Sequence, residues 1–142
     1  MKNKFEEKTM ELSQVVVEAY ETLLALGDEM QEAFDNTPES LQSSAVGEAR
    51  QEAADALSSL NRPTVVEHLE AIKVKVHVPV RSPSAQSRLS RSDRRDDAIS
   101  MLQSAVDALQ DKTEYSDVDA LLEELDQLIS EAEAVEFPGR NA

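Results

Sequence analysis

Cysteine and tryptophan are absent from this chain, and 142 residues carry only three glycines and five prolines. Without cysteine there is neither a disulfide scaffold nor a zinc ribbon, which fits a reducing cytoplasm or simple indifference to redox; a cytoplasmic location is expected. So few glycines and prolines argue against disorder and against a loop-rich β fold. Aromatic residues are also scarce (three Phe, two Tyr), so the core must be aliphatic. No run of about 18 apolar residues occurs, so neither a membrane span nor a membrane partner is expected. The start, Met1-Lys2-Asn3-Lys4-Phe5-Glu6-Glu7-Lys8, runs from basic residues into acids with no apolar stretch between, unlike a signal peptide. The chain has the length of one domain, expected to span residues 1–142.

Positive charge is the other scarcity. Fourteen Lys and Arg face 29 Asp and Glu, a net charge of −15. Such a surface repels nucleic acid over most of its area, so direct nucleic-acid binding is not expected. The imbalance is uneven: residues 1–60 carry −9, residues 61–95 carry +5 and residues 96–142 carry −11. The chain therefore reads as an acidic helical half (1–62), a strand with a basic Ser/Arg-rich loop (63–95), and a second acidic helical half (96–142).

The apolar pattern is mostly helical. Phe5, Leu12, Val16, Ala19, Leu23, Leu26, Met30 and Ala33 recur at three- and four-residue steps and predict one long helix over residues 5–34. Gly27 marks a point where it could break. Thr37 and Pro38 suit the cap and first position of a second helix reaching Leu60, with a narrow face of Ala49, Ala53, Ala56 and Leu57. Thr64 and Glu67 have capping-box spacing for a short turn. A third helix is predicted from about Asp93 to Gln110. A fourth, capped by Ser116, buries Val118, Leu121, Leu122, Leu125, Leu128, Ile129 and Ala132.

Residues 72–80 are the one clear strand: apolar residues alternate with Lys73, Lys75, His77 and Pro79. It has no obvious partner, and a strand needs one. Residues 134–137 are a weak candidate; antiparallel pairing across a homodimer through Val74, Val76 and Val78 is the other. The expected architecture is thus mostly α: four helices, the N-terminal one long, with one central strand that pairs within the chain or in a dimer. Arg50-Gln51-Glu52-Ala53-Ala54-Asp55-Ala56-Leu57 and Arg95-Asp96-Asp97-Ala98-Ile99-Ser100-Met101-Leu102 align at an offset of 45; shared helix packing explains this about as well as duplication.

Chemistry-bearing motifs are few. There is no Gly-x-Ser-x-Gly, no Gly-rich phosphate loop and no His-Glu-x-x-His, so an enzyme is not expected. His68 and His77, with Glu67 and Glu70, are candidates for a metal, but adjacency sends Glu67 and His68 to different faces and two lysines flank His77; Asp117-x-Asp119 lacks the Gly and the terminal Glu of a calcium loop. No metal or other cofactor is expected. Arg88, Arg91, Arg94 and Arg95 surround Ser90-Arg91-Ser92-Asp93, a helix start that suits an anion or a nucleotide phosphate. A strand followed by this helix start is similar to the ribbon-helix-helix DNA binders, although only about ten residues follow the strand, too few for that family's intervening helix. The bland alternative is that these arginines neutralise the protein's own acids. The dense carboxylates, Glu48 and Glu52 in the second helix and Asp119, Glu123, Glu124 and Asp126 in the fourth, read first as solvated faces that serve solubility or life in high salt, and otherwise as faces suited to a basic partner protein or to mimicry of DNA phosphates.

Ala33-Phe34-Asp35-Asn36-Thr37-Pro38-Glu39-Ser40-Leu41-Gln42-Ser43, followed by Gly47-Glu48 and an Ala-rich helix, resembles a segment of small acidic phage and prophage proteins. The block Ser90-Arg91-Ser92-Asp93-Arg94-Arg95-Asp96-Asp97-Ala98 resembles their later part. The likeness covers about half the chain. It implies a phage-encoded accessory protein in the host cytoplasm, binding a host or phage protein, and carries over no catalytic residue. The functions expected are such an interaction protein, a DNA-mimic inhibitor of a nucleic-acid enzyme, or a phosphate binder using the arginines.

Overall fold

The computed structural model describes residues 5–112, 114, 115 and 117–138. Among them are five α-helices and a two-stranded antiparallel sheet. Strand β1 (Phe5–Glu11) runs directly into α1 (Leu12–Asp35). A 3-10 turn (Glu39–Leu41) leads to α2 (Ala45–Ser58), and another (Glu67–Leu69) leads to β2 (Lys73–Pro79). Then follow a single-turn helix α3 (Pro83–Ser87), the long α4 (Arg91–Gln110) and α5 (Val118–Glu133). The chain is mostly α, with five helices rather than four among the described residues.

The principal correction concerns residues 5–11, which the helical stripe assigns to the first helix. They form β1, the partner of β2 from Phe5↔Pro79 to Glu11↔Lys73. The partner within the chain is thus β1 rather than residues 134–137. Val74 and Val76 are buried and Val78 is half-buried against the core. Inner-face residues Glu6, Lys8 and Met10 of β1 lie opposite Val78, Val76 and Val74. The strand thus supplies ladder hydrogen bonds and little apolar area, which is why alternation does not reveal it. The ladder ends where α1 begins: Leu12 N–H donates to the Ile72 carbonyl (2.8 Å) and Ser13 N–H to the Glu70 carbonyl (3.3 Å). Two otherwise orphaned N–H groups of the first helical turn are thereby satisfied without a side-chain cap.

Helix α1 is the spine. Leu12, Val15, Val16, Ala19, Leu23, Leu26 and Met30 are buried on one face, against which α2 and α4 both pack. Gly27 does not break the helix. A Cβ there would stand 3.0 Å from that of Leu57, so the glycine lets α2 approach closely. Tyr20 Oη donates to the Leu60 carbonyl (3.0 Å) and fastens the far end of α2 to α1.

Several predicted caps move. Ser44, not Thr37, caps α2, accepting from Gly47 N–H at 3.2 Å. Thr37 is buried; its hydroxyl donates to the Ala33 carbonyl (2.8 Å) and accepts from Arg50 Nη1 (2.8 Å). The turn at 67–69 forms, but Thr64 does not cap it: its N–H is bound by the Glu124 carboxylate at 2.6 Å. Helix α4 begins at Arg91, two residues before the predicted start, because Ser90 Oγ accepts from Asp93 N–H (3.0 Å). Within the basic loop, Ser82 caps the short α3. The Ser116 cap lies outside the described residues.

Helix α4 packs against α1, α5 and β2, and the buried residues of all these elements join in one cluster. The residues matched at an offset of 45 have matching burial: Ala53, Ala54 and Leu57 in α2, Ala98, Ile99 and Leu102 in α4. Both helices pack on α1, so one packing demand acts on both.

Candidate functional site

The start of α4 brings the predicted anion-binding arginines together, but against the protein's own carboxylates. Arg94 forks onto Glu29 of α1, with Nη1 to Oε2 at 2.5 Å and Nη2 to Oε1 at 2.7 Å. Arg91 Nε lies 3.4 Å from the same carboxylate, an ion pair too poorly aligned to be a hydrogen bond. Arg81 forks onto Asp97 at 2.7 and 3.2 Å. Arg95 donates to Asp96 (3.1 Å) and to the Val135 carbonyl, and its guanidinium lies 5.6 Å from the Phe137 ring centroid. Among the described residues Arg88 donates to the Ser84 carbonyl (3.1 Å), and its side chain is exposed. Asp93 already sits in the first turn of α4, where the helix dipole favours an anion. A phosphate entering here would have to displace Glu29.

The bidentate hydrogen bonds from Arg94 are the main reason the Glu29 carboxyl titrates below its ordinary range; the charges of Arg94 and Arg91 add to this, and partial burial opposes it. The same hydrogen bonds raise Arg94, and those with Asp97 raise Arg81. A depressed carboxylate stabilises the fold fully above its unfolded pKa, and loses that contribution as pH falls through the folded value. Glu29→Gln is therefore expected to cost about 1 kcal/mol at pH 7, a figure reduced for screening because Glu29 and Arg94 side chains are about one-third exposed. The gap between the variant and the natural chain should close below the ordinary carboxylate range. Urea titrations at pH 7 and pH 3 check this, and a gap that stays constant would contradict it.

The acidic faces are different. Glu48 and Glu52 are exposed one turn apart on α2. On α5, Asp119, Glu123 and Asp126 are exposed at steps of four and three residues, hence on one face. None of these five forms an ion pair among the described residues. Glu124, predicted with them, instead ties α5 to the loop at Thr64. Glu52 lines a cavity of about 200 Å³ with Ala49, Ala56 and Glu136, between α2 and the segment after α5.

The histidines are apart. His68 meets Asp117 at 3.4 Å beside the Tyr115 ring, and His77 meets Glu7 at 3.4 Å across the exposed sheet face. Among the described residues no three His, Asp or Glu side chains converge as a metal site, and no helix is long and apolar enough to cross a membrane. Sequence reasoning missed Glu29 and Glu7, which read as ordinary solvated acids on a helix. Comparison with protein-family models, curated proteins and solved structures finds no match to this chain.

Proposed function

We propose that this is a non-enzymatic interaction protein whose exposed carboxylates on α2 and α5 dock onto a basic surface of a partner protein. The observation that carries this reading is the inward use of the arginines. Arg81, Arg91, Arg94 and Arg95 are spent on the chain's own acids around α4, leaving Glu48, Glu52, Asp119, Glu123 and Asp126 uncompensated. Like charges one turn apart cost a few tenths of a kcal/mol each, and a basic partner relieves that cost. The same inward use of Arg91, Arg94 and Arg95 argues against a phosphate-ligand site built with Arg88, which is exposed and bound to the Ser84 carbonyl. The resemblance to small acidic phage proteins supports an accessory role on a host or phage partner in the host cytoplasm.

The test is a pull-down with tagged protein across a salt series, using the natural chain and Asp119→Asn/Glu123→Gln/Asp126→Asn. Capture should fall steeply with salt, and the triple variant should bind roughly tenfold more weakly at low salt. A partner held equally by both proteins at all salt concentrations would refute the proposal. Capture of a nucleic-acid enzyme, displaced by added DNA, would support the narrower reading of a DNA mimic.

A further inference from the structure

A second place on the surface combines apolar area with negative charge. Where the ladder ends, Phe5 pairs with Pro79, and beyond it Val80 leads into the basic loop. Phe5 is 58% exposed and Val80 56%, the two most exposed large apolar side chains among the described residues. They form the floor of a cavity of about 300 Å³ between the end of the sheet and the first turns of α4, walled by Asp93, Asp96, Asp97 and Ser100. Arg81 also lines it, but its guanidinium is committed to Asp97 through two hydrogen bonds. With Arg81 and Asp97 paired, Asp93 and Asp96 carry the remaining negative charge of the opening; Asp93 also lies within electrostatic reach of Arg81, and the exposed Asp96 pairs with the mostly buried Arg95.

We infer that this cavity is a docking site for a peptide segment bearing Arg or Lys beside an aliphatic side chain. An anionic segment is repelled by Asp93, Asp96 and the net charge of −15. A small inorganic cation would leave Phe5, Pro79 and Val80 in water. An arginine or lysine carries both requirements in one side chain: its methylene stem covers the apolar floor while its charged head reaches the carboxylates, and the ring of Phe5 adds a face on which a cation rests favourably. A neighbouring aliphatic side chain covers the apolar area that remains. The volume is at the bottom of the small-molecule range of about 300–1,000 Å³, which suits one or two side chains. None of these residues belongs to the acidic faces of α2 and α5, so this site stands or falls independently of them.

The probe is acetyl-Leu-Arg-Leu-amide, titrated into the isotope-labelled protein and followed by amide NMR, with acetyl-Leu-Glu-Leu-amide as control. Shifts are expected at Phe5, Val80, Asp93 and Asp96 with the arginine peptide, and none with the glutamate peptide. Asp93→Asn/Asp96→Asn should weaken binding about five- to tenfold at low salt. Phe5→Ser should weaken it similarly and stay weakened at high salt. Both are surface changes that leave the Arg81–Asp97 fork in place, and Val80→Ser is a third variant should either unfold. Glu123→Gln/Asp126→Asn should leave affinity within about twofold. Equal shifts with both peptides, shifts centred on α5, or binding seen only in a variant lacking residues 2–4 would overturn the inference; the last would make the chain's own N-terminal segment the occupant.

Discussion

Gly47→Ala is expected to destabilise the protein by about 3 kcal/mol, at the upper end for an overpacking change. An ideal Cβ at Gly47 would lie 2.3 Å from the Gln42 carbonyl oxygen and 2.6 Å from that of Leu41. Both obstacles are backbone, so no rotamer change relieves them. Two local features depend on that proximity: Ser44 Oγ accepts from Gly47 N–H and donates to the Leu41 carbonyl at 2.5 Å. Pushing the 39–42 turn away from α2 therefore also strains the cap, whose loss alone costs about 1 kcal/mol. Gly27→Ala is the informative contrast. Its nearest obstacle is the Leu57 Cβ at 3.0 Å, a tight contact between two helices that can separate by a few tenths of an ångström. Alanine also favours the helix by about 1 kcal/mol, which offsets much of that cost. Urea unfolding of both variants should rank Gly47→Ala well below Gly27→Ala. Equal stabilities would mean that the close approach at residues 41–47 does not hold in solution.

The two glycines also show what the sequence makes legible. Gly27 sits within the apolar stripe of α1, and composition alone reads it as a weak point. Only its apposition to Leu57 shows it to be a contact between helices. The apolar faces of α1, α4 and α5 are legible because burial repeats with the helical period: Leu12 through Met30, Ala98 through Leu109, and Val118 through Ala132. Strand β2 is legible for the same reason with period two. Strand β1 is not, because Glu6 and Lys8 occupy its inner face, and Phe5 falls by coincidence on the stripe of α1. What places it is the need of β2 for ladder partners, a demand that the sequence states without naming the segment that answers it.

Charge is legible in total but not in its pairing. Composition along the chain marks residues 61–95 as the basic part. It cannot choose which of 29 acids they meet. Glu29 is chosen because α4 packs on α1 at that level, 65 residues away in sequence. Glu124 likewise looks like one more acid of α5, until its bond to the Thr64 N–H, 60 residues back, makes it a tether. Glu48, Glu52, Asp119, Glu123 and Asp126 are among the carboxylates to which tertiary packing brings no cation among the described residues, and they are the ones on which the proposed function rests.

Leu102→Ala tests the packing on which all of this rests, and should cost about 4 kcal/mol. Leu102 is fully buried in α4, the helix that lies against α1, α5 and β2 together. Large-to-small substitutions in a core cost about 2–5 kcal/mol, and the value rises with the cavity that cannot close. With neighbours on three sides, α4 cannot move toward one without opening a gap against another, so little collapse is available. Helix α5 has fewer neighbours, so the equivalent loss at Leu128 should lie lower in that range. For a chain of this size, 4 kcal/mol corresponds to a drop in Tm of about 12–16 °C. Leu41→Ala, at a side chain more than half exposed, should change stability by no more than about 0.5 kcal/mol. If the cavity persists, it is apolar and dry, and benzene should restore part of the lost stability of Leu102→Ala while leaving Leu41→Ala unchanged. A cost below 1 kcal/mol at Leu102 would show that α4 is not held between α1, α5 and β2. The arginine pairs that α4 carries to Glu29 and Asp97 would then lose the frame that positions them.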